Sequence, residues 1–130
     1  MTALRERLLY TVAGQLGRPH GILGSFVARA LNRGNEKAIA AAVDATAVAR
    51  DGVVADIGFG GGVGLQMLLN RVGVDGVVYG IEIADDMLRR AESTFDRDVR
   101  SGRLRLSRGS LTELGLDDGS VDALITVNTV

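Results

Sequence analysis

The stretch VVADIGFGGGVGL, residues 53–65, constrains the fold of this chain more than any other part of its sequence. Four glycines fall within five positions, from Gly58 to Gly62, directly after an apolar run that carries a single acid, Asp56. Glycine loses more conformational entropy on folding than any other residue, so such a cluster is destabilising unless the backbone needs its freedom. The pattern predicts a loop that a ligand approaches closely, with a carboxylate just ahead of it.

Downstream of this point, short apolar runs alternate with helical patterns. Strands are expected at residues 53–57, 77–83, 103–108 and 121–127, and helices at residues 62–72 and 85–99. This alternation predicts an α/β fold, a Rossmann-like and mostly parallel sheet with right-handed crossovers. The alternating polarity of residues 103–108 indicates a strand near the sheet edge. The glycine loop then lies at the carboxyl end of the first strand, where open α/β sheets bind ligands.

The N-terminal part of the chain shows helical spacing. We predict an N-terminal helical segment over residues 1–34, with helices at residues 2–13 and 22–31 separated by a glycine-rich break. A third helix over residues 36–49 begins the domain that spans residues 35–130.

Composition excludes several kinds of functional site. The chain has no cysteine and one histidine, His20, which excludes thiolate and multi-histidine metal sites and a cysteine nucleophile. His20 lies in the loop-like stretch GRPHG and is interpreted as a loop residue. No apolar run approaches the roughly 18 residues of a membrane span, so a cytoplasmic protein is expected. The net charge of −1, without a basic patch, argues against nucleic-acid and membrane partners.

The glycine spacing separates two classes of cofactor. Dinucleotide-binding loops follow the pattern G-x-G-x-x-G and hold a pyrophosphate, and no register between Gly58 and Gly64 gives that spacing. A pyrophosphate also gains nothing from the carboxylate of Asp56, whereas a cationic ligand does. S-adenosylmethionine carries an ammonium and a sulfonium and has no phosphate. An NAD(P)-dependent oxidoreductase is therefore the less favoured alternative.

The segment DIGFGGG, residues 56–62, resembles the D/E-x-G-x-G-x-G motif of class I S-adenosylmethionine-dependent methyltransferases. The resemblance implies that the backbone of Gly58, Gly60 and Gly62 approaches the methionine and ribose parts of the cofactor. It also implies that Asp56 accepts the cofactor ammonium, directly or through water.

The segment GIEIADDMLRRAE, residues 80–92, is similar to the second-strand segment of the same family. By that resemblance, Glu82 binds both ribose hydroxyls, and its two oxygens can accept two donors side by side. Ile83 matches the position that packs on the adenine face.

A third segment, residues 109–128, resembles the family only in part. Ser110 stands where the family often has an acid that contacts the adenine amino group, and Ser110 and Leu111 are implied as cofactor-binding residues. Asn128 is followed by Thr-Val and not by Pro-Pro, so the asparagine signature of amino-group methyltransferases is absent. The expected acceptor is a small molecule, and the catalytic residues stay unassigned because no general base can be named.

The resemblance implies a seven-stranded sheet, whereas the strands predicted from this sequence account for the order 3-2-1-4. The chain is then either a fragment of a longer enzyme or a shortened protein that completes its sheet in another way. Residues 121–127 are expected to form an open apolar edge, which predicts a homodimer through this strand. A non-catalytic module that binds S-adenosylmethionine or a partner is the alternative to a methyltransferase.

Overall fold

The computed structural model of the chain describes residues 26–30, 36–110, 113, 115–117 and 119–127. In these residues, helices alternate with the strands of one parallel sheet. The elements in chain order are β1 (Phe26–Ala30), α1 (Glu36–Thr46), β2 (Val53–Ile57), α2 (Val63–Arg71), β3 (Val77–Glu82), α3 (Asp85–Thr94), α4 (Asp96–Ser101), β4 (Leu104–Arg108) and β5 (Ala123–Val127).

The strand order across the sheet is β1-β5-β2-β3-β4, and every neighbouring pair is parallel. Starting from β4, the series β4-β3-β2-β5 is the predicted order 3-2-1-4, which is confirmed. The expectation of an edge strand at residues 103–108 is also confirmed, since β4 ends the sheet. Asp56 on the central strand β2 lies in register with Gly80 of β3 and Ile125 of β5.

The opposite end of the sheet corrects two predictions. Residues 26–30 form the strand β1, so the helix expected at residues 22–31 is wrong over this range. β1 pairs with β5 from Phe26 opposite Ala123 to Ala30 opposite Val127, so the expected open edge at residues 121–127 is also wrong. With neighbours on both sides, β5 offers no free edge for the predicted homodimer. Residues 1–25 lie outside the described residues, and the division of the chain at residue 34 stays a prediction.

The helical run after β3 is broken at Phe95, where one continuous helix was expected. Phe95 leaves helical geometry, with φ −109° and ψ 32°, and separates α3 from α4. Its side chain is buried, and its ring lies beside Gly62, where a Cβ would stand 3.1 Å from the ring carbon Cε2. The break lets an aromatic side chain support the end of the glycine loop.

The helices pack on one face of the sheet and form its larger core. The buried residues of this core include Ile39, Val43, Leu65, Leu68, Leu69, Val54, Val78, Leu104 and Ile125. Because side chains alternate along a strand, the opposite face carries a second cluster of Ala55, Ile57, Ile81, Val121 and Leu124. None of the helices formed by the described residues is long and apolar enough to cross a membrane.

Candidate functional site

The glycine loop between β2 and α2 adopts a backbone that other residues rarely adopt. Gly58, Gly60 and Gly62 have φ angles of 71°, 56° and 94°, all in the left-handed region. A Cβ in this region meets the neighbouring carbonyl oxygen, so only glycine takes it at little cost. Within this loop, the three glycines with this geometry are the three that match the sequence motif.

Hydrogen bonds hold the loop against the carboxyl end of β3. The amide of Gly58 donates to the carbonyl of Ile81 at 2.7 Å, and the amide of Gly60 donates to Oε1 of Glu82 at 2.9 Å. Gly80 allows this close approach, because a Cβ there would stand 3.3 Å from the ring of Phe59 in the loop and 2.7 Å from Leu106. The loop is therefore fixed from two sides, by β2 along the chain and by β3 across the sheet.

Asp56 lies beneath the loop and is 1% exposed. Its Oδ1 atom has no hydrogen-bond partner among the described residues. Burial, with a smaller contribution from the charge of Glu82, raises the pKa of Asp56 from 3.8 to about 7. Asp56 borders a cavity of about 260 Å³, called the first cavity, whose lining is Ile39, Asp56, Gly58, Phe59, Gly61, Val63 and Gly64. A buried carboxylate without a partner is costly, so this geometry suits a cationic group in the first cavity.

Gly64 is a residue of this site that the motif did not assign. A Cβ at Gly64 would overlap Oδ2 of Asp56 and stand 3.4 Å from Cδ1 of Ile125. Gly64 thus gives the Asp56 carboxylate its space. The sequence signal that could have identified Gly64 was a fifth glycine inside the predicted helix, since glycine is a poor helix former.

Glu82, at the end of β3, is 7% exposed and accepts three backbone hydrogen bonds. Oε1 accepts from Gly60 at 2.9 Å, while Oε2 accepts from Ile83 at 2.9 Å and from Ala84 at 3.0 Å. A carboxylate has about four acceptor positions, so Oε1 retains one and Oε2 is saturated. The carboxylate is held rigidly at the point where the loop meets the start of α3.

Ile83 and Ser110 line a second cavity, of about 360 Å³. The remaining lining residues of this second cavity are Arg108, Gly109, Glu113 and Gly115. Ile83 is 61% exposed, so its apolar side chain is open to a ligand. Sequence reasoning did not single out Arg108 or Glu113 as site residues. Arg108 belonged to the alternating pattern of the predicted edge strand, and the position of Glu113 depends on how the chain folds after β4.

The structure brings seven of the eight predicted cofactor-binding residues to one end of the sheet. Asp56 and Gly58 line the first cavity, and Ile83 and Ser110 line the second. Gly60 and Gly62 belong to the loop beside the first cavity, and the Glu82 carboxylate accepts hydrogen bonds from Gly60 and Ile83. The eighth, Leu111, lies outside the described residues. Among the described residues, no group of histidine and acidic side chains is arranged to hold a metal ion.

The family model described as "Methyltransferase domain" matches this chain over residues 54–130. This range contains Asp56, the glycine loop and Glu82. It also contains the described residues that line the second cavity, which lie between Ile83 and Gly115.

Solved structures with the same fold include several methyltransferases. An S-adenosylmethionine-dependent O-methyltransferase from Thermotoga maritima is 24% identical with a TM-score of 0.59, over 69% of this chain and 34% of its own. An S-adenosylmethionine-dependent methyltransferase from Aquifex aeolicus is 24% identical with a TM-score of 0.54, over 61% and 42%. An arsenic(III) S-adenosylmethionine methyltransferase from Chlamydomonas reinhardtii is 27% identical with a TM-score of 0.52, over 59% and 29%. The match thus spans less than half the length of each of these proteins.

Proposed function

The chain belongs to the methyltransferase-domain family, and from that premise we propose that it binds S-adenosylmethionine and transfers its methyl group to a small-molecule acceptor. One observation carries the proposal: the buried Asp56 carboxyl lines the first cavity beside three left-handed glycines, and its Oδ1 atom has no hydrogen-bond partner among the described residues. The predicted cofactor-binding residues are part of this proposal, as is a cytoplasmic location.

The Asp56 carboxyl discriminates between the two cofactor classes. In the first cavity an ammonium would pair with this carboxylate and relieve the cost of its burial. A pyrophosphate there would instead meet a negative charge at close range, in a site where burial strengthens the repulsion. The chemistry of this residue therefore supports S-adenosylmethionine over NAD.

Each remaining residue has a place in the proposed complex. Oε1 of Glu82, with one open acceptor position, would accept a ribose hydroxyl. Ile83 would cover the adenine face, with Ser110 and Leu111 at the adenine end. The bound cofactor supplies an activated methyl group on a sulfonium. The contribution of these residues is to fix the orientation of that group, and orientation supplies much of the rate in such transfers.

Calorimetry on the wild-type chain and an Asp56→Asn variant tests the proposal. We expect S-adenosylmethionine and S-adenosylhomocysteine to bind and NAD not to bind. Asp56→Asn should lower the affinity for S-adenosylhomocysteine by about tenfold or more, as expected for the loss of a charge-assisted contact. The exposed Asp75, in the turn before β3, provides the matched control Asp75→Asn, which should change nothing.

A cofactor fragment makes the test specific for the ammonium. Methylthioadenosine keeps the nucleoside and lacks the amino-acid part, so the wild type and Asp56→Asn should bind it equally. Binding of NAD alone, or equal affinity of both proteins for S-adenosylhomocysteine, would contradict the proposal. Cofactor binding without methyl transfer to any tested acceptor would support the alternative, a non-catalytic binding module.

A further inference from the structure

The chain after β4 folds back on itself so that Glu113 lies beside Ser110. The amide of Ser110 donates to the carbonyl of Glu113 at 3.1 Å, and the amide of Glu113 donates to the carbonyl of Ser110 at 3.0 Å. The two residues form an antiparallel bridge, and both line the second cavity with Ile83. Backbone hydrogen bonds, and not the Glu113 side chain, therefore fix the position of Glu113 in the cavity wall.

The bridge places an acid next to the position where the sequence has a serine. We infer that the carboxylate of Glu113 accepts a hydrogen bond from the exocyclic amino group of the adenine and so selects an adenine over a purine without that group. An ionised carboxylate only accepts hydrogen bonds, so it can bind an amino group, which donates them. It forms no hydrogen bond with a ring carbon that carries hydrogen in place of the amino group. This inference rests on the proposed function, since it assigns the base-reading residue of the same cofactor site.

The charges around the second cavity leave Glu113 available for this role. Arg108, a cationic residue of the cavity lining, pairs with Asp85 of α3 at 3.5 Å. No described residue forms an ion pair with the Glu113 carboxylate, and Glu113 is exposed. Arg108, Asp85 and Glu113 together carry one net negative charge, which favours an uncharged base with an amino group over a phosphorylated ligand.

Substitutions at Glu113 should leave the fold intact, because the residue is exposed and its bridge uses backbone atoms. Glu113→Ala removes the acceptor, and Glu113→Gln keeps a neutral one. Glu92 of α3 is exposed and lines neither cavity, so Glu92→Ala is the matched control.

The test compares S-adenosylhomocysteine with its analogue in which hydrogen replaces the 6-amino group, by calorimetry on the full chain. The wild type and Glu92→Ala should prefer the amino form by about five- to tenfold, the size expected for a charge-assisted hydrogen bond. In Glu113→Ala the preference should fall below about twofold, and in Glu113→Gln it should lie between the values of Glu113→Ala and the wild type.

An unchanged preference in Glu113→Ala would overturn the inference. So would a preference lost in Ser110→Ala and kept in Glu113→Ala, because Ser110 would then read the base. Either result would leave the proposed function standing, since S-adenosylhomocysteine still binds. A wild-type chain that binds neither compound would instead contradict the proposed function itself.

Discussion

The two cavities at the end of the sheet are built from opposite kinds of residue. The first cavity depends on a carboxyl that is 1% exposed, whereas the second depends on an isoleucine that is 61% exposed. In the first, the Asp56 carboxyl belongs both to the protein core and to the proposed binding site, so we expect a change that affects this carboxyl to alter folding and binding together. In the second, the side chain of Ile83 is exposed, so we expect its substitution to alter the proposed binding alone.

This difference arises from where the residues lie in the sheet. Asp56 is on the central strand, between β3 and β5, and the glycine loop and α2 close over it. Ser110 and Glu113 come after β4, at the edge of the sheet. Neighbouring elements cover the end of a central strand on both sides, whereas the end of an edge strand stays open to solvent. The first cavity, the proposed cation site, is therefore internal, and the second cavity, the proposed base site, is at the surface.

The largest expected effect is that of Gly64→Ala in the first cavity. Helix propensity alone would make this change stabilising by up to about 1 kcal/mol. The overlap of the new Cβ with Oδ2 of Asp56 should outweigh that gain and destabilise the fold by about 3 kcal/mol, because the buried carboxyl must shift and Cδ1 of Ile125 stands only 3.4 Å from the new Cβ. Thermal unfolding should show the lower stability, and calorimetry should show loss of S-adenosylhomocysteine binding.

Gly61→Ala is the control for this change. Gly61 has no positive φ, and no atom lies within 4 Å of a Cβ built there. The stability of the Gly61→Ala variant should match that of the wild type. Its affinity for S-adenosylhomocysteine should fall, because the new methyl group occupies the first cavity. A Gly64→Ala variant as stable as Gly61→Ala would contradict the crowding around Asp56.

A second effect of the first cavity is a pH dependence that the second cavity lacks. The pKa of Asp56 is about 7 in the folded chain, well above the ordinary 3.8, so between these values the folded state binds more protons than the unfolded state. The free energy of unfolding should therefore fall as pH rises from about 4 through about 7, and level off above the folded pKa. Affinity for S-adenosylmethionine should rise over the approach to pH 7, because the ammonium pairs with the ionised carboxylate.

Chemical unfolding of Asp56→Asn across this pH range provides the check. The variant should lose the fall in stability and be more stable than the wild type at pH 8, while Asp75→Asn keeps the wild-type profile. Parallel profiles for Asp56→Asn and the wild type would show that Asp56 does not titrate in this window.

The part of the site that sequence could predict is the part fixed by strand order. Asp56 and Glu82 each stand at the end of an apolar run, and once those runs are neighbouring parallel strands the two carboxyls must lie at one edge. The special backbone of Gly58, Gly60 and Gly62 was predictable for a different reason. So many glycines are destabilising unless the backbone needs their conformational freedom.

The features that sequence could not predict depend on contacts between distant residues. A five-residue segment such as FVARA is too short for its periodicity to separate strand from helix, and its pairing with β5 decides the outcome for β1. Phe95 fits the helical spacing of the sequence, yet its backbone leaves helical geometry and α3 ends there. The contact of its ring with Gly62, far earlier in the chain, is not visible in the sequence. Glu113 carried no motif, and only the backbone bridge to Ser110 brings it into the second cavity.

The smallest expected effect is that of Ile83→Ser in the second cavity. Ile83 is exposed, so stability should stay within about 0.5 kcal/mol of the wild type. Affinity for S-adenosylhomocysteine should fall by about three- to tenfold, because the adenine face loses an apolar contact. Val74, an exposed apolar residue outside both cavities, gives the control Val74→Ser, which should change neither quantity. An Ile83→Ser variant as destabilised as Gly64→Ala would mean that the base site, like the cation site, is part of the folded core.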